Sequence, residues 1–191
     1  GGAAVSGGQT IADGIAVKNA GVITRGICKR LVDDFLLVSE EAIERAIALL
    51  LQIEKTVAEG AGATAFAALL QHADMFKGRK VGVVLSGGNI DPRLLANVIM
   101  RELGRERRIL TIGVEIEDRP GILAKVATLV GDAGANIIEV MHERMFTDLP
   151  AKGAELRVTM ETRDQAHAEA ICAAVRGAGY AVRVLDMKVH N

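Results

Sequence analysis

Apolar and helical patterns alternate along the first half of the chain. Residues 33–38 predict a short buried strand, because two aspartates are followed by the apolar residues 35–38. Ser39, followed by Glu40 and Glu41, is typical of a helix N-terminus, because the serine side chain caps free N–H groups and acidic residues favour that end. Apolar residues then recur at helical spacing, at Ile43, Ala46, Ile47, Leu50 and Leu51. Residues 57–70, rich in alanine and leucine, predict a second helix.

A continuous apolar run over residues 80–85 predicts a strand covered on both faces, as in a parallel sheet flanked by helices. The residues Ser86, Gly87 and Gly88 follow it directly. Pro92 suits the first turn of a helix that continues to about Leu103. The sequence up to about residue 105 therefore predicts an α/β domain.

The pattern changes after Gly104, where apolar and polar residues alternate at every second position. This alternation predicts strands of a sheet with one face exposed to solvent. The predicted strands and helices lie, in chain order, at 111–117, 122–131, 136–146, 154–161, 164–178 and 180–185. This βαββαβ order predicts two helices on one face of a four-stranded antiparallel sheet, the ferredoxin-like arrangement. We expect two domains, 1–105 and 106–191.

Composition and charge exclude several classes of protein. Hydrophobic residues make up 50% of the chain and charged residues 25%, the balance of a folded globular protein. A formal net charge of -1 gives no electrostatic basis for nucleic-acid binding, and acidic residues interrupt the densest basic stretch, Arg101 to Arg108. The longest apolar run, Ala46 to Leu51, is too short to cross a membrane.

Cysteine and histidine offer no metal site. Cys28 and Cys172 are far apart in the sequence, which predicts neither a disulfide framework nor a ligand cluster and favours a reducing cytoplasm. None of the histidines has acidic or cysteine companions at ligand spacing; they are His72, His142, His167 and His190.

A first candidate binding site lies between the first strand and first helix of the second domain. Gly121 would allow a ligand to approach the backbone, and free N–H groups at a helix N-terminus favour a carboxylate. Asn136 and Ile137 would supply the edge of the binding site that faces this turn. The candidate residues before and within the helix are Asp118, Arg119, Gly121, Ile122 and Leu123. The alternative is a simple turn between strand and helix.

A second candidate site is the turn at Ser86, Gly87 and Gly88, at the carboxyl end of a predicted strand, where open α/β sheets bind ligands. A serine hydroxyl there can meet a heterocycle nitrogen without imposing a charge. Two further segments, 10–14 and 59–63, are each weak signals that also fit a capped turn and a helix packing site.

In this order, these motifs resemble the C-terminal half of the threonine dehydratases, pyridoxal-phosphate enzymes that often carry a C-terminal ACT domain. The resemblance implies a partial tryptophan-synthase-β-like domain with a parallel sheet and helices, followed by a ferredoxin-like ACT domain. It also implies deamination of L-threonine to 2-oxobutanoate and ammonia in isoleucine biosynthesis. Ser86 would meet the pyridine nitrogen of pyridoxal phosphate, Glu59 would lie nearby, and Gly87 and Gly88 would line the cofactor edge. Residues 13–14 would shape the wall of the pocket.

For the second domain, the segment from Asp118 to Leu123 resembles the beginning of the first helix in ACT domains. The resemblance implies an amino-acid effector, isoleucine, valine or threonine, and a homo-oligomer formed through ACT sheets.

One departure from the family concerns activity. The family's cofactor-binding lysine, in a Ser-Phe-Lys-x-Arg-Gly-like stretch, and its phosphate-binding glycine run are not in this sequence. Without that amine the chain has no catalytic residue, and we expect it to be inactive and not to bind the cofactor alone. The partner this implies is the N-terminal catalytic half. The alternative is a free-standing amino-acid-sensing or oligomerisation module.

Overall fold

A computed structural model describes residues 9–144 and 153–185 of the chain. The chain divides into two compact units, Gly1–Ile99 and Met100–Asn191, each with its own hydrophobic core. The division falls inside a helix, Pro92–Arg105. The domain boundary after residue 105 stays a prediction.

The described part of the first unit is helical. After a short 3-10 turn at Asp13–Ile15 it contains α1 (Val22–Leu31), α2 (Glu40–Gln52), α3 (Gly60–Gln71), α4 (Ala73–Phe76) and the greater part of α5 (Pro92–Arg105). Helices α2 and α3 pack against each other and supply most of the core. The helices predicted at residues 40–51, 57–70 and 92–103 are confirmed, with α3 beginning three residues late.

Helix α2 begins as predicted, because the Ser39 side chain accepts a hydrogen bond of 3.2 Å from the Ala42 amide. Its buried side includes Ile43, Ala46, Ile47 and Leu50, the residues whose spacing predicted the helix. Helix α1 was not among the predicted elements. None of its residues is buried, although Ile23, Ile27 and Leu31 recur at helical spacing on one side of it.

The two strands predicted in this unit, at residues 33–38 and 80–85, are not formed. Among the described residues the single sheet belongs to the second unit. A strand exists only when a neighbour pairs with its N–H and C=O groups, and neither segment has such a neighbour here. Their apolar side chains are consequently open to solvent, with Phe35 71%, Leu37 87% and Val84 76% exposed.

The second unit is the predicted βαββαβ arrangement. Its elements are β1 (Ile109–Glu117), α6 (Ile122–Asp132), β2 (Asn136–Glu143), β3 (Gly153–Glu161), α7 (Gln165–Gly177) and β4 (Ala181–Val184). The antiparallel sheet has the order β2-β3-β1-β4, and β1 pairs with β3 from Ile109 opposite Glu161 to Glu117 opposite Gly153. The alternation predicted for β1 and β3 is confirmed. The inward residues pack with α6 and α7 in one core, which includes Ile112, Val114, Leu156, Val158, Val126 and Ile171.

Strand β2 is irregular and lies at an edge of the sheet. Its register to β3 shifts between Ile137 and Glu139, which marks a bulge. The predicted continuation of this strand to Phe146 falls on residues outside those described. Within the described ranges no helix combines the length and the hydropathy needed to cross a membrane.

Candidate functional site

Three separate segments meet at the N-terminus of α3. Glu59 precedes the helix, and its amide donates a 3.2 Å hydrogen bond to the Gly87 carbonyl oxygen. The Asn89 amide in turn donates to the Glu59 carboxylate at 3.2 Å. The loop that begins at Ser86 is therefore tied to Glu59 through both backbone and side chain.

The glycines of α3 explain how this approach is possible. A Cβ atom on Gly62 would lie 1.7 Å from the Ser86 carbonyl oxygen, and one on Gly60 would lie 2.1 Å from the Ile11 carbonyl oxygen. Each overlap is with backbone, so only glycine fits at either position. The first turn of α3 is thus clamped between residues 11–14 and the 86–88 loop. The structure brings together the three segments that the sequence singled out.

The Glu59 carboxylate covers one side of the glycine turn. Gly87 has a left-handed φ of +77°, which favours glycine, and a Cβ there would lie 2.3 Å from Glu59 Oε1. A Cβ on Gly88 would lie 2.9 Å from the Val57 carbonyl oxygen. On the other side, a Cβ on Gly14 would lie 3.8 Å from Glu59 Oε1. Glu59 therefore lies between Gly14, which is predicted to form part of the pocket wall, and Gly87, which is predicted to line the cofactor edge.

The Ser86 hydroxyl is available to a ligand. Ser86 is exposed, and no described residue forms a hydrogen bond with its Oγ. A neutral hydroxyl next to a glycine surface fits one edge of a flat heterocycle, the pyridine edge of pyridoxal phosphate. The amine that would bind the cofactor aldehyde and the glycine run that would bind its phosphate are not among the residues of this sequence. Ser86 and the glycine turn therefore fit one edge of that cofactor, beside the Glu59 carboxylate.

The second candidate site lies at the end of β1. Gly121 is the N-cap of α6 with φ +85°, and apart from its chain neighbours no described residue has an atom within 4 Å of the position of a Cβ there. Beside it runs a groove of about 620 Å³, bounded by the end of β1, the β1–α6 turn and the α7–β4 turn. Arg119 and Ile122, both predicted, line this groove. The sequence did not single out its other lining residues, which include Glu115, Gly179 and Tyr180.

Asp118 and Leu123 do not line the groove. The Asp118 carboxylate lies 3.6 Å from His142 Nε2 and 3.3 Å from Arg144 Nε, which places it toward β2. His142 Nε2 is itself buried without a hydrogen bond among the described residues. Leu123 is 43% exposed on α6. Neighbouring residues of one motif thus face different sides of the domain.

Asn136 and Ile137 lie at the opposite end of the sheet from the β1–α6 turn. Asn136 pairs with Glu161, and its Nδ2 donates to the Glu161 carboxylate at 3.0 Å. Glu161 is paired with Ile109, whereas the turn follows Glu117. The length of β1, roughly 27 Å at about 3.4 Å per residue, separates the two groups. One chain does not bring the predicted effector residues together.

The described residues contain no group of three or more histidine, cysteine or acidic side chains arranged to hold a metal ion. Cys28 and Cys172 are both free, and Cys172 is buried on α7. Burial raises the pKa of the Cys172 thiol above its ordinary value of 9.0, while the positive charges of Arg176 and Arg107 oppose that rise.

By fold, the protein is an α/β chain in which a helical unit with a glycine-rich loop precedes a ferredoxin-like domain. Residues 2–87 match the family described as pyridoxal-phosphate dependent enzyme, and residues 110–177 match the ACT domain. The chain therefore combines a segment of the pyridoxal-phosphate dependent enzyme family with an ACT domain, an organisation that fits the C-terminal part of a threonine dehydratase.

Curated relatives agree with this combination. The chain is 41% identical over 181 residues to the L-threonine ammonia-lyase of Thermotoga maritima, a match covering 95% of this chain and 45% of that protein. It is 43% identical over 176 residues to the L-threonine ammonia-lyase of Geobacter sulfurreducens, covering 92% and 44%. The chain thus spans about half the length of these relatives. A formyltetrahydrofolate deformylase structure from Pseudomonas putida KT2440 matches with a TM-score of 0.30 and 12% identity, over 40% of this chain and 28% of that one.

Proposed function

We propose that this chain is the C-terminal catalytic-half and regulatory region of an L-threonine ammonia-lyase that acts in the cytoplasm in isoleucine biosynthesis. The reaction would convert L-threonine to 2-oxobutanoate and ammonia. The observation that carries the proposal is the identity of 41% and 43% to two such enzymes over more than nine-tenths of the chain. On this proposal residues 1–105 complete the catalytic domain and residues 106–191 regulate it.

In this proposal the residues of the site hold and orient the cofactor and do not themselves react with the substrate. Pyridoxal phosphate, when bound, supplies the electron-withdrawing ring that lets the substrate lose its α-proton. Ser86 would donate to or accept from the ring nitrogen. The Gly87 and Gly88 backbone would lie along the ring edge, because side chains there would collide with Glu59 or Val57. Glu59 holds this loop in place through its contacts with Gly87 and Asn89.

The exposed apolar surface of the first unit supports an N-terminal catalytic half as partner. Exposed large apolar residues cluster in α1 and in the two extended segments; examples are Val22, Ile23, Leu31, Phe35, Leu37, Val84 and Leu85. Apolar surface of this extent marks an interface. The unpaired segments 33–38 and 80–85 also offer backbone groups to which strands of the other half could add.

The test is complementation. This chain is mixed with the N-terminal half of the Thermotoga maritima L-threonine ammonia-lyase, which by itself lacks the region matched here, and 2-oxobutanoate formation from L-threonine is followed. We expect activity and the visible absorbance of protein-bound pyridoxal phosphate only in the mixture. A stable complex of the two halves without lyase activity would contradict the proposal.

For the ACT domain we propose binding of an amino-acid effector, isoleucine, valine or threonine, at the Gly121 turn. The free N–H groups at the start of α6 would hold the effector carboxylate, with Arg119 and Ile122 in the adjoining groove. Because Asn136 lies at the far end of the sheet, we propose that the Asn136–Ile137 edge is contributed by a second copy. Edge strand β2 supports such pairing through its exposed Ile138 (51%) and Met141 (47%).

Calorimetric titration with isoleucine, valine and threonine tests the effector site, and sedimentation tests the oligomer. We expect saturable heat with at least one of the three amino acids and a dimer or larger species. Ile138→Asp should yield monomers that bind effector more weakly. Flat titrations with a folded oligomer would remove the effector proposal and leave an oligomerisation domain.

A free-standing sensor is the second candidate function, and it rests on the ACT domain match over residues 110–177. It predicts effector binding by this chain without any response to an N-terminal catalytic half. Complementation therefore separates the two candidates.

A further inference from the structure

The groove beside Gly121 carries more negative than positive charge. Three of the residues that line it are charged, namely Glu115, Glu117 and Arg119. The Arg119 guanidinium lies 3.3 Å from the Glu117 carboxylate, so these two side chains neutralise each other. Glu115 is exposed, and no ion pair or hydrogen bond joins its carboxylate to another described residue. The groove therefore has a formal net charge of -1, which Glu115 carries.

The end of β1 also presents backbone groups to this groove. The Leu185 amide donates to the Thr111 carbonyl oxygen at 2.9 Å, so every second residue of β1, counted from Thr111, directs its N–H and C=O toward β4. The pairing with β4 ends at Glu115, opposite Ala181. Glu117 is the next residue of this series, and no described residue pairs with its backbone on that side. Its N–H and C=O are therefore available to a ligand that both accepts and donates hydrogen bonds.

The neighbours of Glu115 in the sheet leave its carboxylate to the groove. Opposite it on β4 is Ala181, whose short side chain takes little space. Opposite it on β3 is Glu155, which holds Arg183 at 2.7 Å and Arg157 at 3.1 Å. These two arginines are therefore engaged by another carboxylate, and a positively charged group of a ligand can pair with Glu115.

We propose that the groove recognises the ammonium group of its effector through Glu115, and so distinguishes an amino acid from the 2-oxo acid of the same carbon skeleton. This inference rests on the effector site proposed at Gly121 and adds to it the group that binds the ammonium. The effector carboxylate lies at the start of α6, and the ammonium donates to the Glu115 carboxylate and to the Glu117 carbonyl oxygen. A 2-oxo acid brings a carbonyl oxygen instead, which offers Glu115 neither a donor nor a positive charge.

This preference has a consequence for regulation of the proposed reaction. The lyase converts an amino acid into a 2-oxo acid, so a groove that bound only the carboxylate and the carbon chain would also respond to the product. Recognition of the ammonium by Glu115 restricts the response to amino acids.

The test is a titration of the full chain, with its single tyrosine as the reporter. Tyr180 lines the groove and the chain contains no tryptophan, so tyrosine fluorescence reports ligand binding there. Valine, isoleucine and threonine are compared with the 2-oxo acids of valine and isoleucine and with the 2-hydroxy acid analogue of threonine. The amino acid that binds should do so at least about tenfold more tightly than its analogue, because the analogue loses a charge-assisted hydrogen bond. Calorimetry gives the same affinities independently of the fluorescence.

Two substitutions test the residue. Glu115→Gln keeps the size of the side chain and removes its charge, so it should weaken amino-acid binding at least about tenfold without weakening binding of the analogue. Glu115→Lys should reverse the preference, because its ammonium repels that of an amino acid. Asp132→Asn is the matched control. It removes a negative charge at the other end of α6, roughly 15 Å from the first residue of the helix, and should leave both affinities unchanged.

The outcomes separate this inference from the effector site on which it rests. If none of the three amino acids binds the unsubstituted chain, the effector site and the role of Glu115 are both overturned. If an amino acid binds but its analogue binds equally well, or if Glu115→Gln leaves amino-acid affinity unchanged, the role of Glu115 is overturned and the effector site stands. Circular dichroism of each variant confirms that the comparison is between folded chains.

Discussion

The Cα of Gly62 faces the carbonyl oxygen of Ser86 so closely that a Cβ would lie 1.7 Å from that oxygen. Gly62 lies in the first turn of α3, and Ser86 begins the glycine loop. This single contact fixes the distance between helix and loop. It thereby positions the hydroxyl that we propose for the ring nitrogen of pyridoxal phosphate.

Gly62→Ala should destabilise the first unit, although alanine is the better helix former. The new Cβ would overlap backbone atoms of Ser86 and Gly87, so the loop must move, at a cost of about 1–3 kcal/mol. Gly26→Ala in α1 is the control, because no other part of the described chain comes within 4 Å of a Cβ there. It should stabilise by roughly 0.5–1 kcal/mol. Urea unfolding followed by circular dichroism compares them, and stabilisation by both substitutions would mean that α3 and the loop are not in contact.

His167 connects the two helices of the ACT domain. Its Nδ1 accepts from the Arg163 amide at 3.1 Å, which leaves the proton on Nε2 to donate to the Ala133 carbonyl oxygen at 2.8 Å. His167→Ala would leave both backbone groups without this partner and open a cavity, since His167 is 6% exposed. We expect a loss of about 2–3 kcal/mol of unfolding free energy.

The measurement is chemical unfolding followed through the ACT domain by NMR. Ala166→Ser, on an exposed position of the same helix turn, is the control and should change the unfolding free energy by no more than about 0.5 kcal/mol. A His167→Ala effect as small as that of the control would show that the two hydrogen bonds contribute nothing.

The raised pKa of Cys172 predicts how stability depends on alkaline pH. Burial is the main cause of the raised value, and Arg176 and Arg107 oppose it. The folded state therefore holds the thiol proton at pH values where the unfolded state has released it. Stability contributed by the neutral thiol is complete below the ordinary pKa of 9.0 and falls as pH rises from there toward the higher folded value.

Unfolding free energies measured between pH 8 and about pH 10.5 should decline less steeply in Cys172→Ala than in the unsubstituted chain. Cys28→Ala, which removes the more exposed thiol, serves as the control and should keep the original slope. Alkylation by iodoacetamide at pH 8 should modify Cys28 well before Cys172. Identical slopes in all three proteins would show that the Cys172 proton is not linked to folding.

The second unit could be predicted from sequence because its information is local. In β1 and β3, alternate residues are buried and exposed, and the helices α6 and α7 each have one apolar side. A shift of the strand pairing by one residue would place polar residues in the core and apolar residues in solvent. The pattern of apolar residues therefore specifies the register of the strands. Gly121 and Gly179, both with left-handed φ, mark turns that the sequence already indicated.

The first unit was harder to predict from sequence, because an extended segment forms a strand only beside another strand. The local pattern of residues does not show whether that neighbouring strand is present. Residues 80–85 have the composition of a strand, but no described strand lies beside them. The family resemblance implied that Glu59 lies near the loop that begins at Ser86, and Glu59 does contact Gly87 and Asn89. The resemblance could not give the contact between Gly62 and Ser86, which depends on how helix and loop meet.

The candidate site of the ACT domain also could not be predicted fully from the sequence. Asp118 and Arg119 are adjacent in sequence, yet Asp118 pairs toward His142 while Arg119 lines the groove. Arg107 belongs to the basic stretch from Arg101 to Arg108, for which the sequence predicted no site, and only the fold places it at a small cavity beside α7. Backbone direction, which sequence spacing does not encode, decides both cases.

Charging the exposed apolar surface of the first unit should separate folding from assembly. Phe35 and Val84 are 71% and 76% exposed, so Phe35→Asp and Val84→Asp should change the stability of this chain by no more than about 0.5 kcal/mol. If an N-terminal catalytic half covers this surface, each aspartate would be buried there without a partner, which costs several kcal/mol. Complementation of lyase activity should then fall at least about tenfold in each variant, as measured from 2-oxobutanoate formation against concentration of the half-enzyme. Ala166→Asp places the same charge on an exposed residue of the ACT domain, away from edge strand β2, and should leave the association of the halves intact. Full complementation by Phe35→Asp and Val84→Asp would show that this surface is not where the two halves meet.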